Sequence, residues 1–308
     1  MTKHKFNLSL FFKGMAMGAA NVIPGVSGGT IALITGIYER LINAIKSFDM
    51  HALKLLKKKQ WQSFVQYTDL NFLIPVILGL ITAILSLAKL LSFLFIHYPV
   101  YIWAYFFGLV LASVYYVGKT VEQWNWSAIV SFLVGVVIAV SITVLHPAVE
   151  NENPWYLFLN GIIAIVSMIL PGLSGSFVLI LLGNYQLVAI NAINHFNLKI
   201  LIPFALGAGL GLLVFSHLLS WLFKRFRKQT LALLTGFILG SLSILWPWKK
   251  AVYLTHDQQI VYRHGKALVA YYEKYFPQAF NKEVFLAVLL ILLGILSIVW
   301  LERASQQK

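Results

Sequence analysis

Six stretches of the chain are apolar enough and long enough to cross a membrane as helices. A helix needs ~20 mainly apolar residues to span the hydrocarbon core. The six ranges that meet this requirement are 71–97, 100–118, 127–146, 200–223, 230–247 and 283–301. Hydrophobic residues make up 59% of the chain and charged residues 11%, a balance unlike that of soluble domains. The pattern predicts an all-α polytopic membrane protein.

Two further apolar segments, residues 8–45 and 156–193, are each interrupted near the middle by a Pro-Gly pair. The interruptions belong to a duplicated motif, because IPGVSGGTIALITGIY at 23–38 returns 147 positions later as LPGLSGSFVLILLGNY. Lipid tolerates such a break only where it is buried in protein or faces a polar cavity. Each segment is therefore a broken crossing or a re-entrant hairpin, with the break at Pro24 and Gly25 in one and at Pro171 and Gly172 in the other.

The duplication extends beyond the motif. LIPVILG at 73–79 matches LIPFALG at 201–207, and LLSFLF at 90–95 matches LLSWLF at 218–223. Each unit is one hairpin plus three transmembrane helices, so an odd number of crossings predicts an inverted repeat, the architecture of many transporters. We expect one membrane domain, in which residues 1–126 hold the first hairpin and two crossings, 127–155 the third crossing and an external linker, and 156–308 the second inverted repeat.

Loop charges favour the re-entrant alternative. Basic residues flank the first broken segment on both sides, including Lys3, Lys5 and Lys46, and cytoplasmic loops are enriched in Lys and Arg. Residues 147–154 contain no basic residue and are expected outside. Counting the membrane crossings from these loops places both termini in the cytoplasm. Residues 248–282 disagree, because they carry several Lys and Arg residues although the count places them outside.

The residues after each Pro-Gly pair are suited to binding an anion. A helix that begins there presents unpaired amides and a partial positive charge. Glycine lets an anion approach the backbone, and hydroxyls add donors. Phosphate is the first candidate ligand and carboxylate the second. The alternative is that these small residues only allow close helix packing, but the duplication of the whole motif favours an anion site formed by Ser27, Gly28, Gly29, Thr30, Ser174, Gly175 and Ser176.

Charged residues within the apolar segments are candidates for supporting roles, because a charge in the bilayer is costly. Arg40 could contact a phosphate, and Glu39 could carry a coupling proton; alternatively, both lie at the interface or pair with each other. Lys89 aligns with His217 of the second unit, so each unit has a protonatable base at this position. Lys89 and His217 are candidates for anion binding and titration, with a purely structural role as the alternative.

Several classes of function are excluded or disfavoured. The chain has no cysteine, which excludes disulfides and thiolate metal sites, and no metal or cofactor is predicted. The net charge of +14 comes mostly from short segments between apolar runs. These residues indicate topology and contact with anionic membrane lipids, so nucleic acid is not an expected partner.

The stretch KGMAMGAANVIPGVSGGTIALITGIYERLI, together with SMILPGLSGSFVLILLGNY, resembles the bacterial DUF368 family of polyprenyl-phosphate transporters. The resemblance covers essentially the whole chain. It implies a translocase in the bacterial plasma membrane that returns undecaprenyl phosphate from the outer to the inner leaflet for synthesis of peptidoglycan and other envelope polymers. Both halves of the family motif are present, although the second departs from the first at Ser176 and Phe177.

A phosphorylated lipid also suits the residue pattern, because only its charged head requires shielding from hydrocarbon. We expect no enzymatic activity and a proton-assisted transport step. Two alternatives remain open. A membrane undecaprenyl-pyrophosphate phosphatase would need an Arg beside the motif serine, where Gly28 and Gly175 stand. A transporter or channel for a small anion would need a more polar pore than these crossings offer.

Overall fold

The computed structural model describes residues 7–22, 27–143, 145, 148–193, 195–253, 255–256, 259–260, 262–263, 266–267 and 269–306. Helices form nearly all of this part of the chain. Those of the N-terminal half are α1 (Leu8–Val22), α2 (Gly28–Ile34), α3 (Tyr38–Lys46), α4 (Met50–Lys57), α5 (Trp61–Tyr67), α6 (Leu70–His97), α7 (Pro99–Lys119) and α8 (Trp126–Thr143).

Apart from α4 and α5, which have no counterpart, the C-terminal half repeats this order up to a short stranded insertion. Its helices are α9 (Pro154–Ile169), α10 (Gly175–Leu181), a π-helix (Gln186–Ala192), α11 (Leu198–Arg225), α12 (Arg227–Leu245) and α13 (Lys282–Gln306). Between α12 and α13 lie β1 (Lys249–Tyr253), β2 (Thr255–His256), β3 (Gln259–Ile260), β4 (Tyr262–Arg263), β5 (Lys266–Ala267) and β6 (Val269–Lys274).

The predicted crossings are confirmed as helices. Within the described residues, six helices are long and apolar enough to cross a membrane, namely α6, α7, α8, α11, α12 and α13. A seventh apolar helix, α9, has only 16 residues. The polytopic, helical fold class follows from these lengths.

Close helix packing recurs at equivalent positions in the two halves. A side chain at Gly14 of α1 would overlap the carbonyl oxygen of Val76 in α6. The equivalent residue in the second half, Gly161 of α9, has the same relationship to Phe204 in α11. Only a residue without a Cβ allows the two backbones to approach this closely. The helix that precedes each break is thus held against the first long helix of the same half.

The last helix of each half packs against the other half. α8 lies against α12, and α13 lies against α7. Glycines again permit the contacts, since side chains at Gly108 and Gly236 would overlap the carbonyl oxygens of Ile291 and Phe132. α7 and α12 also contact each other. Because α8 and α13 each pack against a helix of the other half, the main buried core contains residues of both halves.

The two seven-residue helices α2 and α10 end in the same way. Gly36 follows α2 with φ of 70°, and Gly183 follows α10 with φ of 75°, a conformation that glycine adopts without strain. A polar side chain from the preceding long helix binds each end: Lys13 Nζ donates to the Thr35 carbonyl at 2.7 Å. In the second half the Tyr156 hydroxyl donates to the Leu182 carbonyl at 2.9 Å.

Residues 248–282, whose fold the sequence left open, include an antiparallel strand pair. β1 pairs with β6, and Lys249 lies opposite Lys274. The Lys249 ammonium lies 3.4 Å from the centroid of the Trp103 ring and donates to the carbonyl of Ile244 near the end of α12. The strand pair is thereby attached to the ends of α7 and α12.

Candidate functional site

Ser27 begins α2 as its N-cap. Its side-chain oxygen accepts a hydrogen bond from the Gly29 amide at 3.1 Å, as expected for a serine cap. The Gly28 amide donates to Asn21 Oδ1 at 2.7 Å, and the Thr30 amide donates to the Ser27 carbonyl at 3.0 Å. The amides that the sequence assigned to phosphate in the first motif therefore already have acceptors in the protein.

Ser174 begins α10 in the same manner, but here the backbone is less occupied. The Phe177 amide donates to Ser174 Oγ at 3.4 Å, and the hydroxyls of Ser174 and Ser176 lie 2.9 Å apart. The amides of Gly175 and Ser176 have no acceptor within the described residues. The second motif, which departs from the first at Ser176, thus offers more free donors than the first.

The two motifs contact each other. Ser27 Oγ donates to the carbonyl of Met168 at the end of α9, at 3.1 Å. The Gly172 amide donates to Thr30 Oγ1 at 3.0 Å, and Gly172 has φ of 80°. The Tyr38 hydroxyl donates to the Ile169 carbonyl at 3.0 Å. The start of α2 and the break after α9 therefore form one continuous contact between the halves.

A cavity of about 240 Å³ lies beside this contact. It could hold several water molecules or one phosphate group, since a water occupies ~30 Å³ of liquid. We call it the serine cavity. Among its apolar walls are Ala164, Met168, Phe204 and Ala208. Its polar lining comes from Asn21, Ser27, Ser174, Gly175, Ser176 and Tyr185.

The serine cavity brings together four of the predicted phosphate-binding residues, namely Ser27, Ser174, Gly175 and Ser176. Its described lining contains no lysine, arginine or histidine. An anion bound there would meet hydroxyl and amide donors without a formal positive charge. Pro24 and Gly25, which form the first predicted break, lie outside the described residues.

Arg40 and Glu39 do not line the serine cavity. Arg40 forms a two-pronged ion pair with Asp69, with Nε and Nη2 at 2.7 and 3.0 Å from the carboxylate oxygens. Its guanidinium also lies 4.5 Å from the Phe72 ring centroid. Glu39 pairs in the same two-pronged way with Arg227 of α12, at 2.8 and 3.1 Å. The two neighbours therefore join α3 to different helices rather than pairing with each other.

His217, one of the second predicted pair of supporting charges, is outside the described lining of the serine cavity as well. His217 is exposed, and its Nδ1 lies 2.8 Å from the Leu213 carbonyl of its own helix. Lys89 belongs to α6, but its side chain lies outside the part of the structure that is described. A titrating role for these residues stays a prediction.

A second cavity, of about 250 Å³, lies where α3 meets α11 and α12. We call it the basic cavity. Its polar lining comprises Glu39, Asn43, Ser220, Lys224 and Arg227, and Ile42 and Phe223 complete the wall. Ser220 is a buried hydroxyl in α11, which is one of the helices long and apolar enough to span a membrane.

Sequence reasoning missed two residues of the serine cavity. Asn21 has Met168 as its counterpart in the second unit, so comparison of the two repeats did not indicate a role for Asn21. The available clue was a single amide side chain in an apolar helix, six residues before the motif serine. Tyr185 was within the duplicated motif, opposite Tyr38. Its persistence in both copies could have marked it.

Comparisons with known proteins agree with this picture. A family model described as undecaprenyl phosphate translocase-like matches residues 17–261. A polyprenyl-phosphate transporter of Vibrio cholerae serotype O1 is 45% identical over 247 residues, which are 80% of this chain and 79% of the relative. A polyprenyl-phosphate transporter of Staphylococcus aureus is 31% identical over 252 residues, covering 76% of this chain and 84% of the relative. The chain belongs to the undecaprenyl phosphate translocase-like family. No solved structure matches it.

Membership of this family confirms the resemblance to DUF368 transporters that the duplicated motif indicated. The family and both relatives carry the names of transporters, so the chain is a membrane transporter and not an enzyme. The phosphatase alternative is thereby set aside. The match includes both motif copies and the basic cavity, because residues 17–261 contain all of their described residues.

Proposed function

We propose that the protein carries the phosphate head of a polyprenyl phosphate across the bacterial plasma membrane, from the outer to the inner leaflet, so that the carrier can be reused in envelope synthesis. The observation that carries this proposal is the serine cavity at the contact between the two motifs. It is a polar site at the contact between the two halves of a largely apolar bundle, and the relatives are named for polyprenyl phosphate.

The serine cavity suits the headgroup of a lipid. The hydroxyls of Ser174 and Ser176 and the free amides at the start of α10 supply donors for phosphate oxygens. The apolar wall that includes Phe204 suits the first part of a prenyl chain, and the remainder of the chain can stay in lipid. At the first motif, a phosphate would reach the Gly28 amide by displacing the side-chain oxygen of Asn21.

Proton assistance follows from the neutral lining. A phosphate monoester has a pKa near 6, so it carries up to two negative charges near neutral pH. Binding it without a cation costs less when one proton remains on the phosphate. An inside-negative potential also opposes inward movement of each negative charge by ~2.3 kcal/mol per 100 mV. We therefore propose that a proton travels on the headgroup itself, with Glu39 as a further candidate carrier.

The transport cycle that we propose uses the two halves as an inverted repeat of re-entrant hairpins, with both termini cytoplasmic and the basic loops against anionic lipids. Equivalent glycine contacts in the two halves support it, for example Gly14 with Val76 and Gly161 with Phe204. In such folds one half rocks against the other around a fixed site. Alternating closure above and below the serine cavity would then expose the headgroup to one leaflet at a time.

The test is transport by the full-length protein in vesicles that carry a fluorescent short-chain prenyl phosphate in the outer leaflet. We expect Ser27→Ala combined with Ser174→Ala to reduce the initial rate at least tenfold, because both hydroxyls line the cavity. Ser113→Ala is the matched control, since Ser113 is buried in α7 and bonds to the Leu109 carbonyl of its own helix.

Two results would contradict the proposal. Equal rates for wild type and the double variant would place the headgroup elsewhere. Transport of inorganic phosphate at a rate that prenyl phosphate does not inhibit would favour the small-anion alternative. Proton assistance is tested separately, and we expect an inward-directed proton gradient to accelerate transport several-fold. An unchanged rate would contradict proton assistance but not the assignment of the lipid substrate.

A further inference from the structure

The basic cavity differs from the serine cavity in its charge. Arg227 is paired with Glu39, but Lys46 and Lys224 have no ion pair within the described residues. With the charges of Arg227 and Glu39 cancelling, two positive charges remain: Lys224 lines the cavity, and Lys46 lies next to it in contact with the lining residue Ser220. Two uncompensated cations beside a cavity of this size favour an anion with two negative charges.

Polar groups are arranged around these cations. Lys46 Nζ donates to Ser220 Oγ at 3.4 Å, and Ser220 Oγ donates to Asn43 Oδ1 at 2.9 Å. This chain crosses from α3 to the spanning helix α11. Ser220 is 2% exposed, and a buried hydroxyl normally has at least one hydrogen-bond partner. These hydrogen bonds hold the Lys46 ammonium beside Ser220, a residue of the cavity lining, although Lys46 itself is not a lining residue.

The charged groups at the basic cavity are not repeated in the other half of the molecule, although Glu39 and Ser220 have the polar counterparts Gln186 and Ser92. In the duplicated alignment, Asn43 and Lys46 correspond to Ile190 and Ile193, and Arg227 corresponds to Pro99. The helix packing of the two halves is repeated, as the glycine contacts show, but this charged site is not. A packing role alone does not account for three cations whose counterparts in the other half are uncharged.

We propose that the basic cavity is a second headgroup site, which binds the dianionic form of a lipid phosphate monoester at one end of the transporter. This inference rests on the proposed function and extends it. The serine cavity, which has only neutral donors, holds the headgroup during its passage, and the basic cavity receives it at the end where Lys46, Lys224 and Arg227 gather. A phosphodiester lipid carries one negative charge and leaves one cation unbalanced, so the cavity selects the monoester.

The direction of transport then has a structural cause. A headgroup that leaves the serine cavity with a bound proton can release that proton on meeting two cations, because nearby positive charge favours the ionised phosphate. The proton passes to water at this open cavity. The doubly charged head is then held at the end that carries the cations, whereas the corresponding positions of the other half, Ile193, Ile96 and Pro99, are uncharged, so release is favoured at one end.

The experiment measures binding of farnesyl phosphate to the full-length protein in nanodiscs of phosphatidylcholine, which carries no net charge. We expect two sites per protein for wild type. Lys46→Gln combined with Lys224→Gln should weaken one site at least tenfold, and Ser27→Ala combined with Ser174→Ala should weaken the other. Arg225→Gln is the matched control, because Arg225 is a neighbouring exposed cation outside the described lining.

Competition experiments distinguish a lipid phosphate monoester from inorganic phosphate and from other anionic lipids. We expect inorganic phosphate to compete at the basic cavity only at much higher concentration, and phosphatidylglycerol in the nanodisc to compete weakly. Full displacement by phosphatidylglycerol at equal concentration would make the cavity a general contact for anionic lipids and overturn the inference. So would equal weakening by Arg225→Gln, which would indicate unspecific surface charge.

Two measurements guard against an unfolded variant and against confusion with the proposed function. The charge-reversed Lys224→Glu variant should lose the same site while its thermal unfolding midpoint stays within a few degrees of wild type. Salt should weaken the basic site more than the serine site in wild type; equal sensitivity would contradict the assignment. If the wild-type protein binds farnesyl phosphate at two sites yet transports no lipid, the proposed function is wrong. If the wild-type protein transports lipid and the lysine variants bind farnesyl phosphate normally, only the inference about the basic cavity is wrong.

Discussion

Thr30 Oγ1 accepts a hydrogen bond of 3.0 Å from the amide of Gly172, 142 residues further along the chain. Both residues belong to the duplicated motif, but to different copies of it. The bond is buried, and Gly172 also abuts the backbone of Phe237 in α12 so closely that no side chain would fit there. The start of α2 and the break after α9 are thus joined by a hydrogen bond that water cannot reach.

Thr30→Val tests this contact. The substitution keeps the shape of the side chain but leaves the buried Gly172 amide without its acceptor, which costs ~1–3 kcal/mol. We expect a lower midpoint of thermal unfolding in detergent and slower transport. Thr235→Val is the control, because Thr235 is equally buried and its hydroxyl donates only to its own helix at Leu231. Similar midpoints for the two variants would show that the bond between the motifs contributes nothing particular.

Gly79 and Gly207 test the equivalence of the two halves. Gly79 abuts the Phe11 carbonyl, and Gly207 abuts the Phe158 carbonyl. Each alanine variant must separate two helices, so we expect both to lower the unfolding midpoint by similar amounts. Gly209→Ala is the control, because open space surrounds that position and alanine favours a helix by up to ~1 kcal/mol relative to glycine. A stable Gly207→Ala variant beside an unstable Gly79→Ala variant would mean that the halves differ in packing.

Arg40 and Asp69 are expected to act as a unit. Because the side chain of Arg40 is 55% exposed, their ion pair contributes at most ~1 kcal/mol. We expect Arg40→Gln and Asp69→Asn to have the same small effect on stability, and the double variant to add nothing further. The measurement is a double-mutant cycle of unfolding midpoints together with transport rates. A loss of transport in Arg40→Gln that Asp69→Asn does not share would support the headgroup role predicted from sequence.

Lys249 is expected to make stability depend on pH. Burial, and then the charge of Lys274, lower the pKa of Lys249 to about 7, whereas an unfolded lysine has a pKa of ~10.4. Between these values the unfolded chain binds more protons, so stability rises with pH by up to ~1.4 kcal/mol per unit. Below pH 7 the penalty for burying the charge is complete.

The measurement is the unfolding midpoint between pH 6 and pH 10 for wild type and Lys249→Met. We expect the variant to lose most of the rise and to be the more stable of the two at pH 6. Lys250→Met is the control, since Lys250 is exposed on the same strand. A wild-type profile as flat as that of Lys249→Met would show that Lys249 keeps an ordinary pKa.

The lengths of the apolar runs and the local breaks were sufficient to predict the spanning helices and the helices beside the breaks, whereas α4 and α5 were not predicted. The six crossings follow from length and composition, because a membrane requires every spanning backbone to satisfy its own hydrogen bonds. The duplicated Pro-Gly motif marked both short helices and their serine caps, which depend on residues only a few positions apart. Of the eight residues predicted to bind phosphate, which include Arg40, four line one cavity. Ser27 joins Ser174, Gly175 and Ser176 there only because the two halves pack against each other.

Partners distant in sequence were decided by the tertiary structure. The sequence predicted that Glu39 and Arg40 either take part in transport or pair with each other. The packing of α3 instead pairs Glu39 with Arg227 and Arg40 with Asp69. Packing also brings Asn21 to the Gly28 amide while the amide of Gly175 stays open, although the two motifs read almost alike. Local sequence determines which groups lack partners within a helix; the approach of other helices determines which of those groups remain available to a ligand.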